Sequence, residues 1–362
     1  MVTRSKIKKI IFAAHDAGGF DALFPVIQKL RGRRAFKILN LLGGPAALIA
    51  KRNKIAYTDA HGSSDEEILE IVRSFSPDIV VTGTSSGVYI DKRTFRAARR
   101  LGIPTAAILD SWVNYSPQFI LNNKQKVALS DLPDKILVMD DISRREMIQE
   151  GFPAKKIVIT GNPHFASFKR FKKVPAGGPE RAVFIDQHLS ELMKSGIHED
   201  LGYAEIEVFR DLVNALEDLN WRGELVIKFH PGSKDLTRFD RTIAGSGLKI
   251  VKAKENAELR DILDRSRFVF GMASMALFES ALGGKTVLSY QPKLRRKTDH
   301  LISNRIGLSY AVYERSELKP MLKKVLFSDS PRAKYLRQIK KYTNKQAASK
   351  VIRVLLSMIK AV

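Results

Sequence analysis

The sequence contains no cysteine among its 362 residues. This absence excludes a disulfide framework, a thiolate metal site and a cysteine nucleophile, and it leads us to expect a cytoplasmic protein. Long apolar runs are missing as well. The longest ones, such as the run at Ile10–Ala14, have the length of a strand, so no segment is predicted to span a bilayer. We interpret the basic and apolar N-terminal residues as a first strand rather than a signal peptide.

Acidic residues are scarce. The chain has 62 Lys and Arg against 38 Asp and Glu, a formal net charge of +24, and no acidic residue after Asp329. Such an excess favours anionic partners, namely nucleic acid, anionic lipid headgroups, or phosphate-rich glycolipid or nucleotide substrates. A basic surface that serves only solubility is the alternative. Because we recognise no nucleic-acid-binding motif, we expect no nucleic-acid partner and favour an anionic membrane surface.

Short apolar runs alternate with helical patterns along the chain, which predicts parallel sheets covered on both faces. The alternation stops at the Pro-, Gly- and Lys-rich segment 169–179 and then restarts. We therefore predict an α/β protein with two doubly wound, Rossmann-like domains that face a central cleft, joined by that linker. The predicted parts are a first domain at 1–168, a second domain at 180–330, and a basic amphipathic helical tail at 331–362 that packs back on the first domain.

The first candidate site follows strand one, in the sequence His15-Asp16-Ala17-Gly18-Gly19. Gly18 and Gly19 lie between a strand and a helix, where the backbone can approach a ligand closely and helix amides suit an anion. His15 and Asp16 are titratable neighbours at the ligand-binding edge of a sheet, so they are candidates for a general base. A helix-capping role for Asp16 and a local hydrogen bond from His15 are the alternatives.

Two further loops are predicted to reach the same edge. One is the hydroxyl-rich turn that contains Thr84 and Ser85, which suits contacts with sugar hydroxyls or phosphate, and the other carries Asp110. We predict these three residues on the acceptor side. Trp112 and Tyr115 would extend an acceptor wall there, unless they pack in the core.

The second half holds another group of candidates. His230 and Pro231 end a strand, where an imidazole can donate to a phosphate oxygen and proline fixes the turn. Ser274 is predicted to cap a helix whose N-terminus offers amides and a dipole to a diphosphate, with Met275 and Glu279 on the same helix.

Several segments resemble known proteins. The motif GNPHF, which contains Asn162, together with the preceding segment 129–157 and residues 99–110, resembles UDP-N-acetylglucosamine 2-epimerases and related GT-B proteins. The turn at His230 and the helix at Ser274–Glu279 resemble the nucleotide-binding half of GT-B glycosyltransferases of capsule and teichoic-acid synthesis. The resemblance implies phosphate contacts for His230 and Ser274, a ribose contact for Glu279, and a nucleotide-sugar contact for Asn162.

The resemblance implies a metal-independent GT-B glycosyltransferase in surface polysaccharide synthesis. Its donor would be a UDP- or CMP-linked sugar, its acceptor a glycan or a lipid-linked glycan, and it would use no cofactor and no metal. The acidic turn typical of the epimerases is replaced by Thr84-Ser85 and its neighbours, so we favour transfer. The alternatives are a nucleotide-sugar epimerase or hydrolase and a non-catalytic polyanion-binding protein.

Overall fold

The structure is a computed structural model that describes residues 7–120, 132–174, 180–195, 199–327 and 333–360. The chain divides into two compact units. The first unit comprises the described residues up to Ser167 together with those from Tyr342 onward, and the second unit runs from Phe168 to Lys341.

The first unit is built on a seven-stranded parallel sheet in the order β3-β2-β1-β4-β5-β6-β7. The order runs outward on both sides of the pair β1 and β4, as in a doubly wound sheet. Its strands are β1 Lys8–Ala14, β2 Phe36–Leu42, β3 Thr58–Asp59, β4 Ile79–Thr82, β5 Thr105–Ile108, β6 Lys135–Val138 and β7 Ile157–Ile159.

The continuous apolar sequence of β1 fits its central position. Alternate side chains of a strand point to opposite faces, and here Ile10 and Phe12 join one buried cluster while Ile11 and Ala13 join the other. All four of these side chains are 0% exposed. Burial on both faces explains why β1 lacks the polar alternation of a half-exposed strand.

Helices cover both faces of this sheet. Their starts follow local capping chemistry: Ser64 and Glu67 form a capping box, and Asp140 accepts from the Ser143 amide at 2.9 Å. The helices are α1 Ala17–Leu30, α2 Gly44–Arg52, α3 Asp65–Phe75, α4 Ile90–Arg100, α5 Asp141–Gln149 and α6 Pro163–Ser167, with 3-10 turns at Ser116–Gln118 and Ala154–Lys156.

The second unit repeats the plan with a six-stranded parallel sheet in the order β10-β9-β8-β11-β12-β13. Its strands are β8 Arg181–Ile185, β9 Glu224–Lys228, β10 Lys249–Lys252, β11 Phe268–Gly271, β12 Thr286–Tyr290 and β13 Tyr310–Val312. Its helices are α7 Leu189–Lys194, α8 Glu205–Asp218, α9 Asp240–Ala244, α10 Leu259–Arg265, α11 Met275–Leu282, α12 Ile302–Arg305 and α13 Arg315–Phe327. The prediction of two doubly wound α/β sheets is confirmed.

Residues 169–174, the described part of the segment predicted as a linker, are hydrogen-bonded to the second unit. The Phe171 amide donates to the Gly283 carbonyl at 3.0 Å, and the Lys172 amide donates to Asp264 at 2.8 Å. Arg260 also lies over the Phe171 ring. Residues 175–179, the rest of the predicted linker, and 331–332, where the predicted tail begins, lie outside the described part of the chain.

The chain ends in two helices, α14 Ala333–Tyr342 and α15 Ala347–Lys360. The apolar face of α15 joins the core of the first unit, where Val351 is 0% and Leu355 is 1% exposed. This face packs against α1. Within the described ranges, no helix has both the length and the apolar character needed to cross a membrane.

Candidate functional site

Each sheet offers one ligand-binding edge. In open parallel sheets, ligands bind beyond the carboxyl ends of the strands, where the strand order diverges. That point lies between β1 and β4 in the first unit and between β8 and β11 in the second. The predicted site residues other than Asn162 follow β1, β4 and β5 in the first unit and β9 and β11 in the second, at these points or on a neighbouring strand. They form two groups, one on each unit.

His15 and Asp16 form a hydrogen-bonded pair at the end of β1. Nδ1 of His15 lies 2.8 Å from Oδ1 of Asp16. A carboxylate only accepts hydrogen bonds, so Nδ1 carries a proton and Nε2 is left with a lone pair. Asp16 occupies the N-cap position of α1 but makes no side-chain capping bond. The pair therefore has the arrangement of an oriented general base.

Two aromatic rings lie near the His15 ring. Tyr89 stacks on it with ring centroids 3.7 Å apart and an interplanar angle of 4°, and His61 lies further away at 6.3 Å. Nε2 faces Gly44, where a Cβ atom would lie only 2.5 Å from this nitrogen. Gly44 therefore leaves Nε2 unobstructed by a side chain.

The predicted glycine pair allows protein segments to approach one another. A Cβ on Gly18 would lie 2.2 Å from Oδ2 of Asp110, and a Cβ on Gly19 would lie 3.0 Å from the carbonyl oxygen of Thr84. A Cβ on Gly83 would in turn lie 2.8 Å from the Gly19 backbone. The loops after β1 and β4 cross at this point, and only glycine permits so close a crossing.

The hydroxyls of Thr84 and Ser85 are directed at buried carboxyl groups. Thr84 donates to Asp110 at 2.8 Å, and Ser85 donates to both oxygens of Asp91 at 2.7 and 2.9 Å. Burial raises the pKa of Asp91 and of Asp110 to about 6, although these hydrogen bonds act in the opposite direction. Two carboxyl groups at this edge therefore titrate near neutral pH, as acid–base groups do.

Sequence reasoning missed Asp91 and its neighbour Lys92. Both begin α4 and are almost fully buried, at 2% and 1% exposure. Lys92 donates to the carbonyls of Pro117 and Ile120 at 2.7 and 2.8 Å and so holds the loop after β5. Burial lowers the pKa of Lys92. No local motif marks the two residues, because their burial depends on how α4 packs on the sheet.

Three other residues that the sequence analysis singled out are buried in the first unit. Trp112 donates to Asp140 at 3.0 Å and Tyr115 donates to Glu146 at 2.8 Å, so both belong to the core rather than to an acceptor wall. Asn162 is 4% exposed, and its side-chain oxygen accepts from the His164 amide at 2.8 Å. Asn162 thus caps α6, which packs against α1.

In the second unit, His230 lies in the turn after β9. The Gly232 amide donates to its Nδ1 at 3.0 Å, so Nε2 carries the proton of the neutral ring. Partial desolvation lowers the pKa of His230, and the charges of His188 and Arg238 lower it further. His230 and Pro231 are exposed. The turn therefore presents an N–H donor outward.

His188, which sequence reasoning missed, lies beside His230. It follows β8, and the two ring centroids are 4.5 Å apart. Gly232 lies close to both rings: a Cβ there would lie 3.2 Å from Nδ1 of His230 and 3.3 Å from Cε1 of His188. Two imidazoles at this separation can both contact one phosphate group. The Asp-Gln-His sequence after a buried strand was the signal that could have revealed His188.

The helix predicted at Ser274 starts as expected. Ser274 is the N-cap of α11 and its hydroxyl oxygen accepts from the Ala276 amide at 3.3 Å. The amide of Ala273 donates to Gln187 at 2.7 Å, which joins this helix start to the loop that carries His188. Met275 is exposed and Glu279 is half-buried on the same helix. The structure thus brings Ser274 and His188 to one edge of the sheet.

Among the described residues, no group of three His, Asp or Glu side chains converges in a way that could hold a metal ion.

No protein-family model and no curated protein sequence matches this chain. Solved structures do match it over nearly its whole length. A Listeria monocytogenes protein assigned to the UDP-N-acetylglucosamine 2-epimerases matches with a TM-score of 0.72 at 16% identity, over 99% of this chain and 98% of its own.

Two further matches come from enzymes of different activity. The UDP-GlcNAc 2-epimerase of Neisseria meningitidis, solved with UDP-GlcNAc bound, gives a TM-score of 0.63 at 13% identity, over 96% of this chain and 100% of its own. MurG of Acinetobacter baumannii gives a TM-score of 0.60 at 14% identity, over 97% of this chain and 99% of its own.

The chain has the GT-B fold. The predicted resemblance to UDP-GlcNAc 2-epimerases and GT-B glycosyltransferases is therefore confirmed at the level of fold. Because GT-B proteins carry out more than one reaction, the reaction must be argued from the side chains at the two sheet edges.

Proposed function

We propose that this GT-B protein is a metal-independent glycosyltransferase that moves a sugar from a nucleotide-sugar donor to a glycan or lipid-linked acceptor in surface polysaccharide synthesis. The observation that carries the proposal is the His15–Asp16 pair. Asp16 fixes the proton on Nδ1, so Nε2 of His15 can accept the proton of an attacking hydroxyl. Transfer to an acceptor needs such a base, and the acceptor then attacks the anomeric carbon.

In this proposal the second unit holds the donor. His230 directs an N–H group outward, His188 lies beside it, and Ser274 starts a helix at the same edge. Hydrogen-bond donors and a helix N-terminus stabilise the charge of a departing nucleoside diphosphate without a metal ion. Glu279 and Met275 on α11 and Pro231 in the turn are proposed as further donor contacts.

The first unit supplies the acceptor side. Asp110 is proposed to contact the acceptor, with Thr84 and Ser85 acting through the carboxyl groups that they hydrogen-bond. Gly18 and Gly19 are proposed as nucleotide-sugar contacts, through the backbone at the start of α1. Asn162 is proposed as a nucleotide-sugar contact through its amide nitrogen, because its oxygen caps α6.

An anionic membrane surface is proposed as the place of action. The apolar face of α15 is buried against the first unit, so this helix presents its basic side chains, such as Arg353, to solvent. Attraction to such a surface would then be electrostatic and would weaken as salt increases.

A nucleotide-sugar epimerase or hydrolase is the second candidate, and Asp91 and Asp110 favour it. Carboxyl groups with a pKa of about 6 can remove a proton from carbon and return it near neutral pH. Such a reaction needs no acceptor.

The first test is a thermal-shift panel of UDP, CMP, GDP, dTDP and their sugars, because a ligand that binds only the native state raises its apparent stability. A selective shift with one nucleotide is expected and identifies the donor class. If none of them shifts the transition, the donor site is wrong.

The second test separates the two reactions. The protein is incubated with the selected nucleotide-sugar in D2O without any acceptor, and the products are examined by mass spectrometry. An intact, undeuterated donor is the expected result for a transferase. Deuterium in the sugar, or free sugar at catalytic turnover, would instead establish the second candidate.

A further inference from the structure

Arg238 lies buried beneath the two turns that carry His188 and His230. Its side chain is 4% exposed and contacts two carboxylates, Asp186 at 0% and Glu205 at 1% exposure. It also lies over the rings of Phe229 and Phe239. A charged side chain is buried only where opposite charges and hydrogen bonds compensate the loss of water, so these contacts fix its position closely.

One of these carboxylates organises the His230 turn. Oδ2 of Asp186 accepts from Nη2 of Arg238, from the Ser233 hydroxyl at 3.2 Å and from the His230 amide at 3.4 Å. Arg238 itself donates to the Ser233 hydroxyl at 3.0 Å and to the Asp235 carbonyl. The turn is thus bound at four points to a single arginine–aspartate pair.

The other carboxylate organises the His188 turn. Oε2 of Glu205 accepts from the amide and the hydroxyl of Ser190 at 2.9 and 2.8 Å. Its Oε1 faces Nε of Arg238 at 3.6 Å, and neither atom has a hydrogen-bond partner within the described residues. Arg238 therefore links the two turns from beneath, together with Glu191 of α7, whose carboxylate accepts from the Lys234 and Asp235 amides at 3.3 and 3.4 Å.

We propose that Arg238 is a positioning residue that sets the spacing of the His188 and His230 imidazoles, and with it the site for a diphosphate. The choice of a diphosphate as ligand rests on the proposed function, whereas the role of Arg238 in setting the distance between the two imidazoles does not. A guanidinium has five N–H donors in one rigid plane and can serve both carboxylates at once. A lysine ammonium at this place keeps the charge and loses that geometry.

The charged groups around His230 agree with this role. His188 lies beside the ring, Arg238 and Asp186 lie beneath it, and Glu191 approaches Nη1 of Arg238 at 3.9 Å. Desolvation lowers the pKa of His230, and the charges of His188 and Arg238 lower it further, so the free site holds a neutral ring that donates from Nε2. A bound dianion would favour protonation of the ring, and diphosphate affinity is therefore expected to rise as the pH falls through that pKa.

The decisive test needs no ligand. The histidine rings of the full-length protein are labelled at Cε1, and the signals of His188 and His230 are assigned with the variants His188→Gln and His230→Gln. The native protein is expected to show a nuclear Overhauser contact between the two rings, and Arg238→Lys is expected to lose it. An unchanged contact in Arg238→Lys, or no contact in the native protein, would overturn the proposal.

Arg181→Lys is the matched control. Arg181 also pairs with a carboxylate, Glu224, but at the start of β8, the end of the strand away from the two turns. This variant should keep the ring contact. If Arg238→Lys does not fold, Glu205→Gln is measured instead; it removes one carboxylate of the link and should displace the His188 turn while the His230 turn stays in place. An undisturbed ring contact in that variant would count against the proposal in the same way.

The second arm uses inorganic pyrophosphate and UDP as probes in calorimetric titrations. Arg238→Lys should weaken both by about tenfold, the lower range for groups that orient a ligand-contacting residue, while Arg181→Lys should leave them unchanged. If neither probe binds the native protein, the donor site in the proposed function fails, and the ring contact still decides the role of Arg238. If both probes bind Arg238→Lys as tightly as the native protein, the positioning role fails.

Discussion

His15 in the first unit and His230 in the second unit both follow strands at the ligand-binding edge of a sheet, yet they present opposite chemistry. The Nδ1 partner of His15 is a carboxylate, which leaves Nε2 as an acceptor. The Nδ1 partner of His230 is a backbone amide, which leaves Nε2 as a donor. The tautomer set by one neighbour thus leaves His15 with an acceptor nitrogen, which suits the proposed base, and His230 with an N–H donor, which suits the proposed phosphate contact.

The buried carboxyl groups of the two units also differ in the groups that surround them. In the first unit the side-chain hydrogen bonds to Asp91 and Asp110 come from the hydroxyls of Ser85 and Thr84, and burial raises the pKa of each carboxyl to about 6. In the second unit Asp186 and Glu205 face Arg238; burial raises the pKa of Asp186 too, but there the charge of Arg238 opposes the rise. The first arrangement suits groups that exchange protons near neutral pH, and the second suits a fixed scaffold.

The largest expected effect follows from removing the base. His15→Ala should lower turnover by about 100-fold or more, the range for general base catalysis, and should leave nucleotide affinity unchanged. Turnover is measured with the donor that the thermal-shift panel identifies. His61→Ala is the control, since the centroid of this ring lies 6.3 Å from that of His15 and the proposed step does not use His61. Unchanged turnover in His15→Ala would remove the base assignment.

His230→Ala should produce the complementary result. Loss of one charge-assisted donor is expected to weaken nucleotide binding by about 10- to 100-fold, or 1.5–3 kcal/mol. The melting temperature should barely change, because the side chain is exposed. Calorimetric titration with UDP and a melting curve check both points. A protein that fails to fold would instead make His230 a structural residue.

Asp91→Asn should make the protein more stable above pH 6. Since the pKa of Asp91 is about 6 in the folded state against 3.8 ordinarily, the native state keeps a proton between these values that the unfolded state has lost. The contribution of Asp91 to the free energy of unfolding is therefore fully present below pH 4 and is lost as the pH rises through 6. Relative to the native protein, the free energy of unfolding of Asp91→Asn should be higher by about 1–3 kcal/mol at pH 8 and unchanged at pH 4.

Asp65→Asn is the matched control for that measurement. Asp65 also starts a helix, but its hydrogen bond with Arg93 lowers its pKa. Replacing it should therefore decrease stability at pH 8. Denaturant unfolding at both pH values measures each effect, and a gain in both variants would show that the burial argument for Asp91 is incorrect.

The smallest expected effect concerns the helix at the second edge. Ser274→Ala removes the N-cap of α11 and should cost about 1 kcal/mol of stability. If the helix start also contacts the donor, UDP affinity should fall as well, while Ser64→Ala, which removes the cap of α3 in the first unit, should lower stability alone. Equal UDP affinity in the two variants would exclude a donor contact through Ser274.

The strands were the most predictable part of the fold. The apolar run at Ile10–Ala14 indicated the first strand, and it lies within β1. Gly18 and Gly19 were expected between that strand and the helix, whereas both lie within α1, which begins at Ala17, because a glycine pair has the composition of a turn. Short elements such as α7, α9 and β13 were missed, since few residues carry their pattern.

The candidate site was less predictable than the fold. Strand ends indicated His15, Asp110 and His230, whose positions depend on local sequence. Asp91 and Arg238 depend instead on which distant groups surround them after folding, so no spacing in the sequence marks them. The same applies to Thr84, whose hydroxyl was expected to face a ligand and donates to Asp110.

The return of α15 to the first unit has a consequence for synthesis on the ribosome. The core of that unit includes Val351 and Leu355, whereas the second unit is one continuous stretch. Translation therefore completes every strand of the second unit before the residues that close the first core have been made. Until then the apolar surface of α1 that α15 covers stays open to chaperones, and a chain that stops early would present that surface permanently.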